Sequence, residues 1–327
     1  MIITRTPLRI SIAGGGCDLP SYYGTREQTI FISAAINKYC YVAVNKSFGN
    51  KFLIKYSKYE SAVEIGDIAH PIVRAALTRI PMPLGTEIVS VADIPAGTGL
   101  GSSGAFTVGL VKALKTYLNL NTSTHEICEL AFSIEALDLG EPVGKQDQYA
   151  TAFGGLSRFE ITQSGEVSVQ RLLTAKPALQ SLQDTLLLFF TGISRDSSNI
   201  LRDQVRLAEA NNPELSANLD FVQSQCIKIE DAILSENSEY LGQLMNEHWA
   251  IKKQRSHGMS NSSIDELYDA GLSAGAIGGK LVGAGGGGFL LFVTKQPHQL
   301  RLKMQNLNVQ EVPFTFDNEG TVVIASN

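Results

Sequence analysis

The twelve residues Pro95-Ala-Gly-Thr-Gly-Leu-Gly-Ser-Ser-Gly-Ala-Phe106 hold four glycines and two adjacent serines. They follow a strand-like run, Glu87–Ala92, and lead into a stretch that reads as a helix to about Leu118. Glycine passes through φ > 0 freely and lets a ligand approach the backbone. The first N–H groups of a helix lack intrahelical acceptors and sit at the positive end of its dipole. A loop of this kind cradles phosphate. Pro95, Gly97, Gly99, Leu100, Gly101 and Gly104 would form the cradle. Ser102 and Ser103 add two hydroxyls, one able to donate to a phosphate oxygen and the other able to face a metal ion.

Other readings of the loop exist. Gly99–Gly104 fits the dinucleotide fingerprint G-x-G-x-x-G, but so does Gly283–Gly288. That reading wants an acidic residue about 20 positions on, closing a second strand. Glu126 is near that distance, within a helical run. A Walker A loop is excluded, because no Lys-Ser or Lys-Thr follows the glycines. A tight strand-to-helix turn with no ligand is the plainer alternative.

Phosphoryl transfer needs a metal, a base and positive charge beside the cradle. Glu135, within Ser133-Ile-Glu-Ala-Leu137, has apolar neighbours on both sides. With a serine hydroxyl it makes a reasonable magnesium pair, since hard cations want oxygen. Its alternative is a partly exposed helix carboxylate. Asp147, in Gly144-Lys-Gln-Asp-Gln-Tyr149, could accept a proton from a substrate hydroxyl. Lys145, and Arg9 if the fold brings it close, could hold it ionised. Otherwise Asp147 is an acid at a helix N-terminus. Arg9, between Leu8 and Ile10 in a strand-like run, wants a partner unless it faces solvent. Asp18, after Gly14-Gly-Gly16, could bond sugar hydroxyls or cap a turn. Thr191-Gly-Ile-Ser-Arg-Asp-Ser-Ser198 places Arg195 among four hydroxyls, which suits an anion or a helix start.

These residues sit in a chain of 327 residues, 44% hydrophobic and 18% charged, which predicts a globular protein with a sizeable core and two domains. The net charge of −5 and the lack of a basic tract argue against a nucleic-acid partner. The four cysteines are far apart and form no C-x-x-C pair, so neither zinc nor a redox pair is suggested. A cytoplasmic protein is expected. Residues 1–9 do not read as a signal peptide, and no run reaches the about 18 apolar residues of a membrane span.

The elements that must position the site follow from patterning. Strands are predicted over Ile2–Ala13, Phe31–Ile36, Tyr41–Asn45 and Phe52–Ser57, with a turn near Lys38. A helix is predicted over Pro71–Ile80. Another, with capping-box spacing at Ser123–Glu126, should run to about Leu139. Gly144–Gly154 encloses a short helix, and Leu156–Ile161 with Val167–Leu172 a hairpin. Lys176-Pro177 is a plausible boundary between domains over 1–177 and 178–327. Beyond it come a buried strand at Thr185–Thr191 and helices at Ser198–Ala210, Pro213–Ser235, Ser238–Gln254 and Asp265–Ala274. Nine glycines between Gly271 and Gly288 predict mostly loop, and further strands and a helix close the chain. Strands broken irregularly by helices argue for α+β rather than a doubly wound sheet.

Three motifs, in order, resemble the GHMP small-molecule kinases. They are Thr6-Pro-Leu-Arg-Ile-Ser-Ile-Ala-Gly-Gly-Gly-Cys-Asp18, Pro95-Ala-Gly-Thr-Gly-Leu-Gly-Ser-Ser-Gly-Ala105 and Lys280-Leu-Val-Gly-Ala-Gly-Gly-Gly-Gly-Phe289. The resemblance implies a two-domain fold. Its amino-terminal domain would be like the second domain of a small-subunit ribosomal protein, with a left-handed crossover, and its carboxy-terminal domain ferredoxin-like. It also implies ATP as phosphoryl donor and Mg²⁺ as metal. Glu135 and Ser103 would hold the metal, Ser102 the phosphate, Asp147 would be the base and Arg9 its partner. Asp18, Gly15, Gly16, Lys145, Arg195, Gly285 and Gly286 would meet the substrate.

The triple glycine at 14–16 departs from the Gly-Glu-His of the galactose-specific members. With Thr191–Arg195 and Gly144–Gln148, it looks most like the members that take a heptose 7-phosphate at its anomeric hydroxyl, with L-fucose or another sugar as alternative. No nucleic-acid or membrane partner is implied, and a homodimer is left open. An inactive nucleotide-binding regulator should lack Asp147 or Glu135, and a dinucleotide-dependent oxidoreductase should bind nicotinamide cofactor rather than MgATP.

Overall fold

The computed structural model describes residues 1–173, 175–194 and 198–326. The first half runs β1 (Ile2–Ala13), α1 (Pro20–Tyr23), β2 (Gln28–Lys46), β3 (Phe52–Lys55), β4 (Tyr59–Ala62), α2 (Pro71–Arg79), β5 (Thr86–Ala92), α3 (Ser102–Tyr117), α4 (Thr124–Ser133), α5 (Gln146–Phe153), β6 (Leu156–Thr162) and β7 (Val167–Arg171). The second runs α6 (Lys176–Asp184), β8 (Leu186–Phe190), α7 (Ser198–Glu209), α8 (Pro213–Leu234), α9 (Ser238–Lys252), α10 (Ser262–Ser273), β9 (Ala276–Leu281), β10 (Phe289–Thr294), α11 (Pro297–Asn306), β11 (Gln310–Glu311) and β12 (Val322–Ser326). The boundary expected near 177 falls at the start of α6, and β12 returns to the first sheet.

That sheet has eight strands, with β12, β1, β2, β5, β3 and β4 side by side and the β6–β7 hairpin on β2. Only the β3–β5 pairing is parallel among its described ladders. The second sheet orders β11-β8-β10-β9, all antiparallel. Helices α3 and α5 pack on β1 and β2, with α4 against both helices, and α8 packs on the same two strands. One apolar core joins Ile10, Phe31 and Val108 of the first half to Leu188, Ile229 and Leu291 of the second.

Two expectations are corrected. No turn divides residues 31–45, because β2 is a single strand of 19 residues. Its register against β1 shifts where Pro7 faces Tyr39 and Leu8 faces Ile36, so Asn37 and Lys38 form a bulge rather than a reversal. The polar pair bonds outward, with Asn37 N–H donating to Thr315 O and Asn37 Oδ1 accepting from Thr315 N–H. The glycines at 278 and 279 are not loop but the middle of β9. A Cβ at Gly278 would lie 1.9 Å from Gly242 O of α9, so their absence of side chains sets how closely helix and strand pack.

The helix expected from 123 to 139 changes character within its last turns. Ser123 and Glu126 form the capping box. After Ser133, however, Ile134–Asp138 is π-helical, and Leu139 N–H reaches back to Ile134 O. Such widened turns gather at functional sites, and this one carries Glu135 into the interior, where it is 2% exposed.

Candidate active site

Arg9 sits in β1 between two fully buried residues, Leu8 and Ile10, and is 4% exposed. A guanidinium so placed needs acceptors. Its Nε and Nη2 donate to Asp147 Oδ1 at 2.8 and 2.6 Å, and its Nη1 donates to Gly99 O at 2.5 Å. One side chain therefore ties the first turn of α5 to the glycine loop. Both contacts to Asp147 fall on Oδ1, and Oδ2 has no hydrogen-bond partner among the described residues. The Asp147 side chain remains about one-third exposed, at 32%.

Helix α3 begins behind Gly101, which is left-handed with φ 74°. Its first bond runs from Ala105 N–H to Gly101 O. The N–H groups of Ser102, Ser103 and Gly104 are thus left unclaimed by the helix. Ser103 Oγ donates to Glu135 Oε2, and Gln148 Nε2 donates to Glu135 Oε1 at 2.9 Å. Burial pushes the Glu135 carboxyl up, while these two hydrogen bonds act in the opposite direction. Ser102 Oγ is buried with no partner. Among the described residues Glu135 makes no ion pair. A buried carboxylate on neutral partners, joined to a serine hydroxyl that lines the cleft, is an oxygen donor pair that fits Mg²⁺.

These groups face one cleft of about 180 Å³. Gly97, Gly99, Gly101, Ser102 and Ser103 line one part of it, and Gly15, Gly16 and Asp18 another. Asp18 is buried, and burial pushes its carboxyl up. Its Oδ1 accepts from Gly16 N–H at 3.1 Å and its Oδ2 from Gln146 N–H at 3.0 Å. Asp18 therefore holds the start of α5 as well as facing the cleft. From the second half, Lys252, Arg255, Gly283 and Ala284 close the cleft.

Several expected residues stand elsewhere. Lys145 does not hold Asp147. Its Nζ donates to both Glu129 oxygens, at 2.7 and 2.8 Å, and to Gly165 O at 2.6 Å, which uses all three donors. Residues two apart at a helix start point in different directions, so sequence proximity misled here. Gly285 and Gly286 stand off the cleft against Met259, with Gly286 N–H donating to Met259 O at 2.8 Å. Pro95 and Leu100 shape the loop from behind. Pro95 O accepts from Thr98 Oγ1, and Leu100 O accepts from Arg9 N–H at 2.9 Å. Arg195 lies outside the described residues. Sequence reasoning missed Lys252, Arg255, Gln146 and Gln148. A signal existed for two of them, since His248, Lys252 and Arg255 recur at helical spacing, the first two flanking the apolar run Trp249-Ala-Ile251.

Gly104 shows how tightly the site is set. A Cβ there would lie 2.6 Å from Asp147 Cβ. Gly104→Ala should force α3 and α5 apart, destabilising the protein by about 1–3 kcal/mol and lowering kcat. Urea unfolding and steady-state kinetics check this; unchanged stability with full activity would show that the helices yield freely.

The cleft offers a seat for phosphate beside a seat for a hydroxyl, which is what a small-molecule kinase requires. Comparison with known proteins agrees. The models for the GHMP kinases N terminal domain and the GHMP kinases C terminal domain match residues 64–155 and 229–308. The chain is 31% identical to D-glycero-alpha-D-manno-heptose 7-phosphate kinase of Campylobacter jejuni, over 98% of this chain and 97% of that protein. It is 30% identical to mevalonate kinase of Pyrococcus horikoshii, over 74% of this chain and 69% of that one. The crystal structure of a D-glycero-D-manno-heptose 1-phosphate kinase from Bacteroides thetaiotaomicron superposes with a TM-score of 0.80, at 26% identity and full coverage of both chains. This chain belongs to the GHMP kinase family, and it is an ATP-dependent small-molecule kinase.

Proposed function

We propose that this kinase transfers the γ-phosphoryl group of ATP to the anomeric hydroxyl of D-glycero-D-manno-heptose 7-phosphate, giving the 1,7-bisphosphate and ADP. The observation that carries the chemistry is the Arg9–Asp147 pair, anchored to the glycine loop through Gly99 O. The sugar is supported by similarity along nearly the whole chain to the Campylobacter jejuni enzyme. ATP consumption and four buried free cysteines fit a cytoplasmic enzyme.

In this reading the N–H groups at the start of α3 hold the phosphates of the nucleotide. Asp147 Oδ2 accepts the hydrogen of the sugar hydroxyl. As the hydroxyl oxygen bonds to the γ-phosphorus, the bond from phosphorus to the ADP oxygen breaks and the proton passes to Asp147. Arg9 keeps Asp147 Oδ2 aimed at the cleft by holding Oδ1 while it waits for that proton. Asp18 and the Gly15–Gly16 backbone orient the sugar. Glu135 and Ser103 would hold Mg²⁺, which when bound neutralises charge on the phosphate oxygens.

The test is ADP release with MgATP over a panel: D-glycero-D-manno-heptose 7-phosphate, sedoheptulose 7-phosphate, L-fucose, D-galactose, D-mannose and mevalonate. Mass spectrometry should find one added phosphate on the heptose 7-phosphate. Faster turnover of an unphosphorylated sugar would replace the proposed substrate while keeping the family.

A further inference from the structure

Among the described residues, two buried cations that line the cleft form no salt bridge. Arg255, in the turn after α9, is 5% exposed. Its Nε donates to Asn218 Oδ1 at 3.0 Å and its Nη1 to Gly15 O at 2.8 Å, while Nη2 is buried with no partner among the described residues. Lys252, one turn earlier, is 2% exposed and donates only to carbonyls, Gly283 O at 2.6 Å and Leu281 O at 3.4 Å. Neither forms a salt bridge among the described residues. Asp18 is the nearby acid in the cleft, and each of its oxygens already accepts a backbone N–H. Burial lowers the proton affinity of both cations, and at Lys252 the charge of Lys280 adds to that.

Buried charge without a partner is costly, and a guanidinium with a free N–H is a ready fork for an oxyanion. The position says which oxyanion. Arg255 is tied to the loop after β1, not to the glycine loop at 95–106. A Cβ at Gly16 would lie 2.4 Å from Arg255 Nη1, so backbone and guanidinium are in direct contact. Among the described residues the other cation lining the cleft, Arg9, is committed to Asp147, and Lys145, away from the cleft, to Glu129.

We infer that Arg255, with Lys252 beside it, receives the phosphate that the sugar substrate already carries, so that this enzyme selects phosphorylated sugars over free ones. The inference rests on the sugar-kinase reading above and assigns the part of the site that reads the far end of the substrate.

The test compares kcat/KM for D-glycero-D-manno-heptose 7-phosphate with that for unphosphorylated D-glycero-D-manno-heptose, at saturating MgATP. Arg255→Gln should reduce the ratio of the two roughly 10- to 100-fold. The change should fall mainly on KM of the phosphorylated sugar, as expected for binding remote from the reacting atoms. Equal losses on both sugars, or a loss carried by KM for ATP, would overturn the assignment. If Arg255→Gln does not fold, Arg255→Lys keeps the charge without the fork and should reduce the same ratio less; an unchanged ratio there also overturns it.

If the wild type turns over neither heptose, the substrate proposal fails and the anion subsite is still tested. Inorganic phosphate is then titrated calorimetrically into protein saturated with a non-hydrolysable ATP analogue and Mg²⁺. Binding by the wild type but not by the Arg255 variant supports the subsite, and equal binding by both, or none by the wild type, refutes it.

Discussion

Asp147→Asn should lower kcat by about 10²–10⁴-fold, the usual contribution of a positioned base, and leave KM for ATP near the wild-type value. The amide is the same size as the carboxylate, and its oxygen can still accept from Arg9 Nε and Nη2. The link from β1 to α5 therefore persists, as does the attachment of Arg9 to Gly99 O. What is lost is the capacity of the second oxygen to take a proton, since the amide nitrogen there can only donate. The two roles of the residue, strut and base, are thus separated by one atom. Steady-state kinetics with both substrates decides the matter. Near wild-type turnover would show that the hydroxyl loses its proton without help from this carboxylate.

The second large effect is expected at Glu135. Glu135→Gln should reduce activity on the order of 10²–10³-fold by removing the only charge in the proposed metal donor pair. The fold should survive. The glutamine oxygen can face Gln148 Nε2, and its amide can donate to Ser103 Oγ, which accepts as readily as it donates. Stability without metal supplies an independent readout. Burial holds the Glu135 carboxyl above its ordinary value in the folded protein. Such a group stabilises the fold fully below its unfolded value, and that contribution is lost as pH rises through the folded value. Near neutral pH the metal-free wild type should therefore be the less stable of the two, with the gap closing as pH falls into the acid range. Mg²⁺ with nucleotide should raise the melting temperature of the wild type far more than that of the variant. Equal shifts in both would place the metal elsewhere.

Why were some of these residues legible in the sequence and others not? The serines stand in a glycine-rich string whose composition exceeds what a turn needs, whereas Arg9, Glu135 and Asp147 each had an ordinary structural reading of their own. A cation in an apolar strand and a carboxylate in an apolar helix each demand a partner, and the resemblance to a kinase family named the partners. The π-helical turn at 134–138 was invisible, because its residues are ordinary helix formers. Asn37 and Lys38 imitated a turn because two polar residues interrupt the alternation of a long strand in the same way a reversal does. Lys145 was misread for lack of Glu129, which lies 16 residues away on a different helix. Arg255 and Lys252 are the opposite case. The spacing of Lys252, the last residue of α9, and Arg255, in the turn after it, was plain, but only tertiary structure brings Arg255 to Gly15, 240 residues earlier.

The apolar core runs without a break from β1 and α3 to α8, β9's flank at Val282 and β10. The two regions matched by separate family models therefore share one core. Severed near 177, each would expose a face that the other now keeps dry, even though the second half holds a further cluster of its own around Trp249, Tyr268 and Phe292. Rearrangements that admit a sugar and discharge ADP must then be small and confined to the rim, because swinging one half away from the other would mean tearing open the interior on every turnover.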